Sequence, residues 1–163
     1  MGTRGKRKMP KKIKMRCETF YRLTNLGVDY RHIDSEKDLN LLSRVMYDSY
    51  KEKEEEELQD TKSELQQTFE GRYGKWLPQC SYVIENEGLP VSATIITLFE
   101  GAPLVAYTFT HPTYSNKGYS TFLLQKSINR LFEQGYSYVY LVVGKDNHSA
   151  RHLYGKIGFT EMT

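Results

Sequence analysis

Apolar positions recur along this chain with two different periods, and the change from one to the other separates helices from strands. Residues 30–33 read as a short strand. Asp34 or Ser35 then offers an N-cap, with Asp38 in the first turn, and Leu39, Leu42, Val45, Met46 and Tyr50 follow at helical spacing. A second helix is predicted over about 54–70, carried by Leu58, Leu65 and Phe69 and ended by Gly71 and Gly74. Residues 81–85, 91–99 and 104–111 are β-rich runs separated by Asn86-Glu87-Gly88 and by Glu100-Gly101-Ala102-Pro103, the pattern of an antiparallel meander. Phe122, Leu123, Ser127, Leu131 and Phe132 lie on a helix that stops at Gly135, residues 138–143 form an apolar strand, and 147–157 form a last helix. The pattern leaves open whether residues 18–23 add another strand.

The order strand, two helices, three strands, helix, strand, helix describes an α+β fold, a mixed and mostly antiparallel sheet flanked by helices. A chain of 163 residues that is 39% hydrophobic has the material for one domain. Charge sharpens its limits. The net charge is +3, yet residues 1–16 hold eight Lys or Arg and no acid, which leaves the remainder acidic. We therefore expect a basic flexible tail over 1–16, or a later start at Met9 or Met15, and a single domain over 17–163. The tail has no interleaved aromatics, which argues against nucleic acid. There is no signal-peptide pattern, Lys6 stands where a myristoylation signal needs Ser or Thr, and no span of about 18 apolar residues occurs, so the expectation is a cytoplasmic protein without a membrane partner. Cys17 and Cys80 have no CxxC spacing and read as packed thiols, with no metal site.

Candidate chemistry concentrates where the third meander strand passes into a helix. His111-Pro-Thr-Tyr-Ser-Asn-Lys-Gly-Tyr-Ser joins the two, an arrangement that presents free backbone N–H groups and the positive end of a helix dipole to an anion. Gly118 lets that backbone approach closely, and Lys117 adds a positive charge. Downstream lies Asn147-His-Ser-Ala-Arg-His-Leu-Tyr-Gly-Lys-Ile-Gly-Phe. With its pattern Asn147, Ala150, Leu153, Tyr154, Gly158 and Phe159, the chain resembles the GNAT superfamily of N-acetyltransferases, from about residue 30 onward and most firmly from residue 81.

The resemblance implies a GNAT-like fold in which two strands splay apart and acetyl-CoA lies in the opening as acetyl donor, its arm bonded to strand backbone at Phe109, Thr110 and His111. It places the pyrophosphate loop on Ser115, Asn116, Lys117, Gly118, Tyr119 and Ser120. Ser115 stands where the family has Gln or Arg, and Ser120 where it has Gly or Ala. It places Asn147 and Ala150 against the cofactor, and makes Tyr154 the group beside the sulfur that protonates the departing thiolate or hydrogen-bonds to it. The C-terminal strand region is shorter than the family's, so the sheet edge is expected to be left short, capped by the tail, or covered by a second subunit in a homodimer.

The activity implied is transfer of an acetyl group to a primary amine, on a small molecule or a peptide, by direct attack in a ternary complex. No carboxylate sits on the strand 104–111, which leaves His111 as its one group titrating near neutrality, together with the alternatives of a distant Glu reached through water or an acceptor of low pKa. The acidic stretch Glu52 to Glu57 would suit a cationic acceptor. Two other functions fit the same residues: a non-catalytic acyl-CoA sensor, and a ribosome- or nucleic-acid-associated acetyltransferase that uses its basic tail.

Overall fold

The computed structural model describes residues 11–50 and 55–162, with the side chains of 55–57 outside that description. Its elements are β1 (Lys12–Glu18), β2 (Asp29–His32), α1 (Leu39–Asp48), α2 (Glu55–Phe69), β3 (Lys75–Trp76), β4 (Tyr82–Asn86), β5 (Leu89–Phe99), β6 (Ala102–Thr110), α3 (Tyr119–Glu133), β7 (Tyr138–Gly144), α4 (His148–Ile157) and β8 (Thr160–Glu161). They build one eight-stranded sheet in the order β2-β4-β5-β6-β7-β1-β8, with β3 added against β5. Every pairing is antiparallel except that of β6 with β7. This is the mixed, mostly antiparallel sheet that the periodicity predicts.

Helices cover both faces because adjacent strand residues point opposite ways. Ile95 packs with Leu42, Val45 and Met46 of α1 and Leu65 of α2, whereas its neighbour Ile96 packs with Leu124, Ile128 and Leu131 of α3 and Ile157 of α4. Leu42, Leu65, Leu124 and Leu131 are fully buried. Each contributes roughly 1.5–3 kcal/mol by leaving water.

Two expectations change. The first helix begins at Leu39, several residues beyond Asp34. The Asp34 carboxylate accepts instead from the backbone of Glu36 and Lys37 in a turn, and Asp38, at the N-cap position, is held by a bidentate Arg31 and makes no capping bond. The second concerns the basic tail. Residues 1–10 lie outside the described residues, but Lys12–Arg16 are not a tail: they are the body of β1, antiparallel to β7 with Met15 opposite Leu141. Met15 and Cys17 point into the core, while Lys14 and Arg16 point outward over the rings of Tyr140 and Tyr138. Of the three expectations for the sheet edge, the structure matches the one in which the N-terminal segment caps it, since β1 lies along β7. Both cysteines are buried free thiols, as expected of packed residues.

Candidate functional site

β6 and β7 run parallel yet pair only at Leu104↔Tyr140. Beyond that point β6 continues to Thr110 and β7 to Gly144 with no further pairing between them, so the sheet opens at the C-terminal ends of the two strands. α3 follows β6 and α4 follows β7. The opening therefore lies where two helices begin, with their N–H groups and positive dipole ends. A β-bulge sits on β6 beside it: Ile95 pairs with Tyr107 and Ile96 with Val105, which leaves Ala106 as the extra residue. The bulge changes which face the strand presents. Val105 packs on the α3/α4 side, whereas Tyr107 and Phe109 pack on the α1/α2 side.

The loop between β6 and α3 alternates in handedness. Asn116 has φ 61° and Gly118 φ 81°, with Lys117 between them at negative φ. Such alternation turns successive N–H groups toward one concave surface. A Cβ on Gly118 would meet nothing nearer than Leu26 Cδ1 at 4.0 Å, so glycine serves here through its left-handed backbone and not for want of space. Gly118 caps α3 without any side-chain bond, so the first-turn N–H groups receive no side-chain oxygen. The Ser115 hydroxyl bonds back to Pro112 O at 2.8 Å. Ser120, the departure from the family pattern, turns its hydroxyl to Thr110 Oγ1 at 2.7 Å, which in turn meets Ser92 Oγ at 2.8 Å. Its extra atom is absorbed by the sheet.

Tyr154 of α4 lies across the opening from this loop. With Ser49, Thr108, Phe109, Thr110, Ser120, Ala150 and Leu153 it lines a cavity of about 260 Å³. Burial pushes its phenol up to about 12. Its ring meets Phe159 edge-on, and its hydroxyl has no hydrogen-bond partner among the described residues. Asn147 is the N-cap of α4, its Oδ1 accepting from Ala150 N at 3.3 Å. His111, at the end of β6, accepts at Nδ1 from Thr113 N and places Nε2 3.5 Å from Asp48 Oδ2 on α1. Both ring nitrogens are engaged. The structure thus brings Phe109, Thr110, Ser120, Ala150 and Tyr154 to one cavity, and sets Ser115, Asn116 and Lys117 in the neighbouring loop and His111 at its β6 end.

A larger cavity of about 640 Å³ lies further back along β6 and contains a pair that the sequence reading missed. Tyr107, turned toward α2 by the bulge, donates its hydroxyl hydrogen to Glu64 Oε1. Burial, and then the Glu64 hydrogen bond, push the Tyr107 phenol far above its ordinary value, so it remains a donor and Glu64 keeps its second oxygen for another partner. A signal was present in the sequence: Glu64 falls within the stripe Thr61, Leu65 and Thr68, all three buried, and so on the inward side of α2. The acidic stretch from Glu52 lies outside the residues whose side chains are described. Among the described residues no group of three His, Cys, Asp or Glu could hold a metal ion, and no helix is long and apolar enough to cross a membrane.

Comparison with known proteins meets this geometry. The profile of the Acetyltransferase (GNAT) family matches residues 43–159. A curated [ribosomal protein bS18]-alanine N-acetyltransferase from Haemophilus influenzae is 38% identical over 80 residues, 49% of this chain and 53% of that protein, so the match spans about half the relative's length. Among solved structures, a GCN5-related N-acetyltransferase from Sphaerobacter thermophilus superposes with a TM-score of 0.69 at 13% identity, covering 93% of this chain and 48% of that one. The PaiA N-acetyltransferase from Thermoplasma acidophilum, solved in complex with coenzyme A, superposes with a TM-score of 0.66 at 18% identity, covering 82% of this chain and 90% of that one.

Proposed function

Because the chain belongs to the GNAT acetyltransferase family, we propose that it transfers the acetyl group of acetyl-CoA to a primary amine by direct attack in a ternary complex. The observation that carries this reading is the opening between β6 and β7 past Leu104↔Tyr140, faced by an α3 N-terminus with no side-chain cap. Just past the end of β6, His111 N bonds to Val91 O on the β5 side, so along the alternating ladder it is Thr110 whose main-chain groups turn toward β7, where they would bond an extended arm as an added strand would. The backbone of residues 115–120 suits a diphosphate, with Lys117 adding charge. Asn147 and Ala150 border the arm at the start of α4.

Acetyl-CoA supplies an activated thioester, so the chain has to orient the amine, take up its proton and stabilise the departing sulfur. Tyr154 acts at the sulfur. Passing its proton from a pKa of about 12 to a thiolate of about 8.5 is uphill by about 3.5 units, on the order of 5 kcal/mol. A hydrogen bond to the developing thiolate avoids that cost, so Tyr154 works mainly as a donor. Glu64 is the carboxylate that fills the place of the missing base: Tyr107 fixes one of its oxygens, and the other is available to an ammonium group and then to its proton. His111, held by Thr113 and Asp48, is read as a link between β6 and α1.

The relative that acts on a ribosomal-protein alanine favours a peptide N-terminal amine, of pKa about 8, as acceptor. Its deprotonation at pH 7 costs only about 1–1.5 kcal/mol, against about 4.6 for a lysine-like amine. The test is release of free thiol from acetyl-CoA across a panel of peptides and small amines. Turnover with at least one primary amine, reduced in Tyr154→Phe and Glu64→Gln, is expected; acetyl-CoA binding with no thiol release from any amine would instead favour a non-catalytic sensor.

A further inference from the structure

The larger cavity carries charge of both signs, and the signs are segregated. Lys12 and Lys14 line it from β1, while Glu64 from α2 and Glu100 from the β5–β6 turn line the side of β6. Lys14 Nζ rests over the Tyr140 ring, 4.7 Å from its centroid, and neither lysine has an acidic partner among the described residues. β7 lies between the two walls. Where β6 and β7 pair, at Leu104↔Tyr140, two interstrand spacings separate β6 from β1, roughly 10 Å, and the walls stand further apart toward Lys14 and Lys12, which lie opposite Val142 and Gly144.

We propose that the acceptor is an anionic amine, whose ammonium group docks at Glu64 while a carboxylate or phosphate at least about 10 Å away docks at Lys12 and Lys14. The inference rests on the acetyltransferase reading above and adds the class of acceptor to it. An α-amino acid is too short, because its two charges lie on neighbouring atoms of one carbon. An extended peptide spans the distance when an acidic side chain stands at the third position, since each residue advances about 3.4 Å. A long-chain ω-amino acid spans it as a small molecule. The reaction balances without another reactant: the ammonium gives one proton to Glu64, the amine nitrogen bonds to the thioester carbonyl carbon, the C–S bond breaks, and the second proton lost from the nitrogen passes, directly or by way of solvent or Tyr154, to the departing thiolate. Tyr73, Tyr107 and Tyr140 give the cavity aromatic walls against which an extended acceptor lies.

The experiment measures thiol release by the full chain with matched acceptors: Ala-Gly-Asp-amide against Ala-Gly-Asn-amide, and 8-aminooctanoate against octylamine. Each anionic member is expected to exceed its neutral partner about tenfold in kcat/KM at low salt, as two part-exposed ion pairs allow. The ratio should fall toward one in Lys12→Gln/Lys14→Gln and, in the unaltered protein, on raising the salt from 50 to 500 mM. The two pairs separate a peptide from a small-molecule source, and a preference in either supports the proposal. A ratio of one or less in both pairs overturns it while leaving the acetyltransferase reading intact, as does a preference that survives both the double substitution and high salt. No thiol release from any amine overturns both.

Discussion

Replacing Tyr154 by Phe removes one oxygen from the wall of the smaller cavity and nothing else. That hydroxyl has no partner among the described residues, so its loss leaves no polar group stranded and the fold should keep its stability within about 0.5 kcal/mol. Its effect belongs to the reaction. Were Tyr154 an obligatory proton donor, the enzyme would have to overcome about 3.5 pKa units, and losing that route would remove several orders of magnitude from kcat. A hydrogen bond to a developing anion is worth about 1.5–3 kcal/mol, which predicts a loss of roughly 10- to 150-fold. Steady-state thiol release supplies kcat, and calorimetry supplies the acetyl-CoA Kd, which should shift less than about threefold. Because burial holds the phenol protonated to about pH 12, kcat should show no alkaline fall caused by Tyr154 between pH 8 and 10.5. A loss of more than about 10⁴-fold, or an alkaline limb near pH 10 that vanishes in the Phe variant, would refute this reasoning.

Glu64→Gln should lower kcat/KM by at least about 100-fold, while Tyr107→Phe, which only frees the carboxylate, should cost less; equal and mild losses, measured by thiol release, would take the proton-accepting role from Glu64. Met15→Asp should destabilise the chain by roughly 3 kcal/mol or more in urea melts, because it buries a carboxylate beside Leu141, whereas a freely flexible residue 15 would tolerate it. At alkaline pH the buried Cys17 and Cys80 thiols, pushed up from 9 to about 11, stay protonated after their unfolded counterparts ionise. The unfolded state then binds fewer protons, so stability present below pH 9 should decline between about pH 9 and 11, and Cys17→Ala should flatten that decline in melts taken at pH 8, 10 and 11.

Some of this molecule was legible in its sequence and some was not, for physical reasons that differ by element. α3, β7 and α4 declared themselves because their apolar residues recur at one clean period and a glycine or asparagine stands at their ends. β1 did not: Ile13, Met15 and Cys17 alternate as a strand should, but the lysines and arginine between them dominate the composition, and only pairing with β7 turns those side chains outward onto tyrosines. The α1 boundary was misplaced because Asp38 answers to Arg31, a contact made in the fold. The turn at Gly118 was readable as a strand-to-helix junction, whereas Tyr154 was singled out only by the resemblance to the family. Glu64 required the bulge at Ala106, which exists only once β5 and β6 are in register, to bring Tyr107 to it.

The central claim is that coenzyme A lies between β6 and β7 with its diphosphate against the backbone at Gly118. Titrating acetyl-CoA into the protein and into Gly118→Asp by calorimetry tests it most directly, since the new carboxylate would face the phosphates and Asp at φ 81° would strain the same turn. The account predicts one saturable site per chain in the unaltered protein and at least tenfold weaker binding in the folded variant, with Gly118→Ala between the two. Equal affinity in all three proteins, or no heat of binding in any, would contradict it.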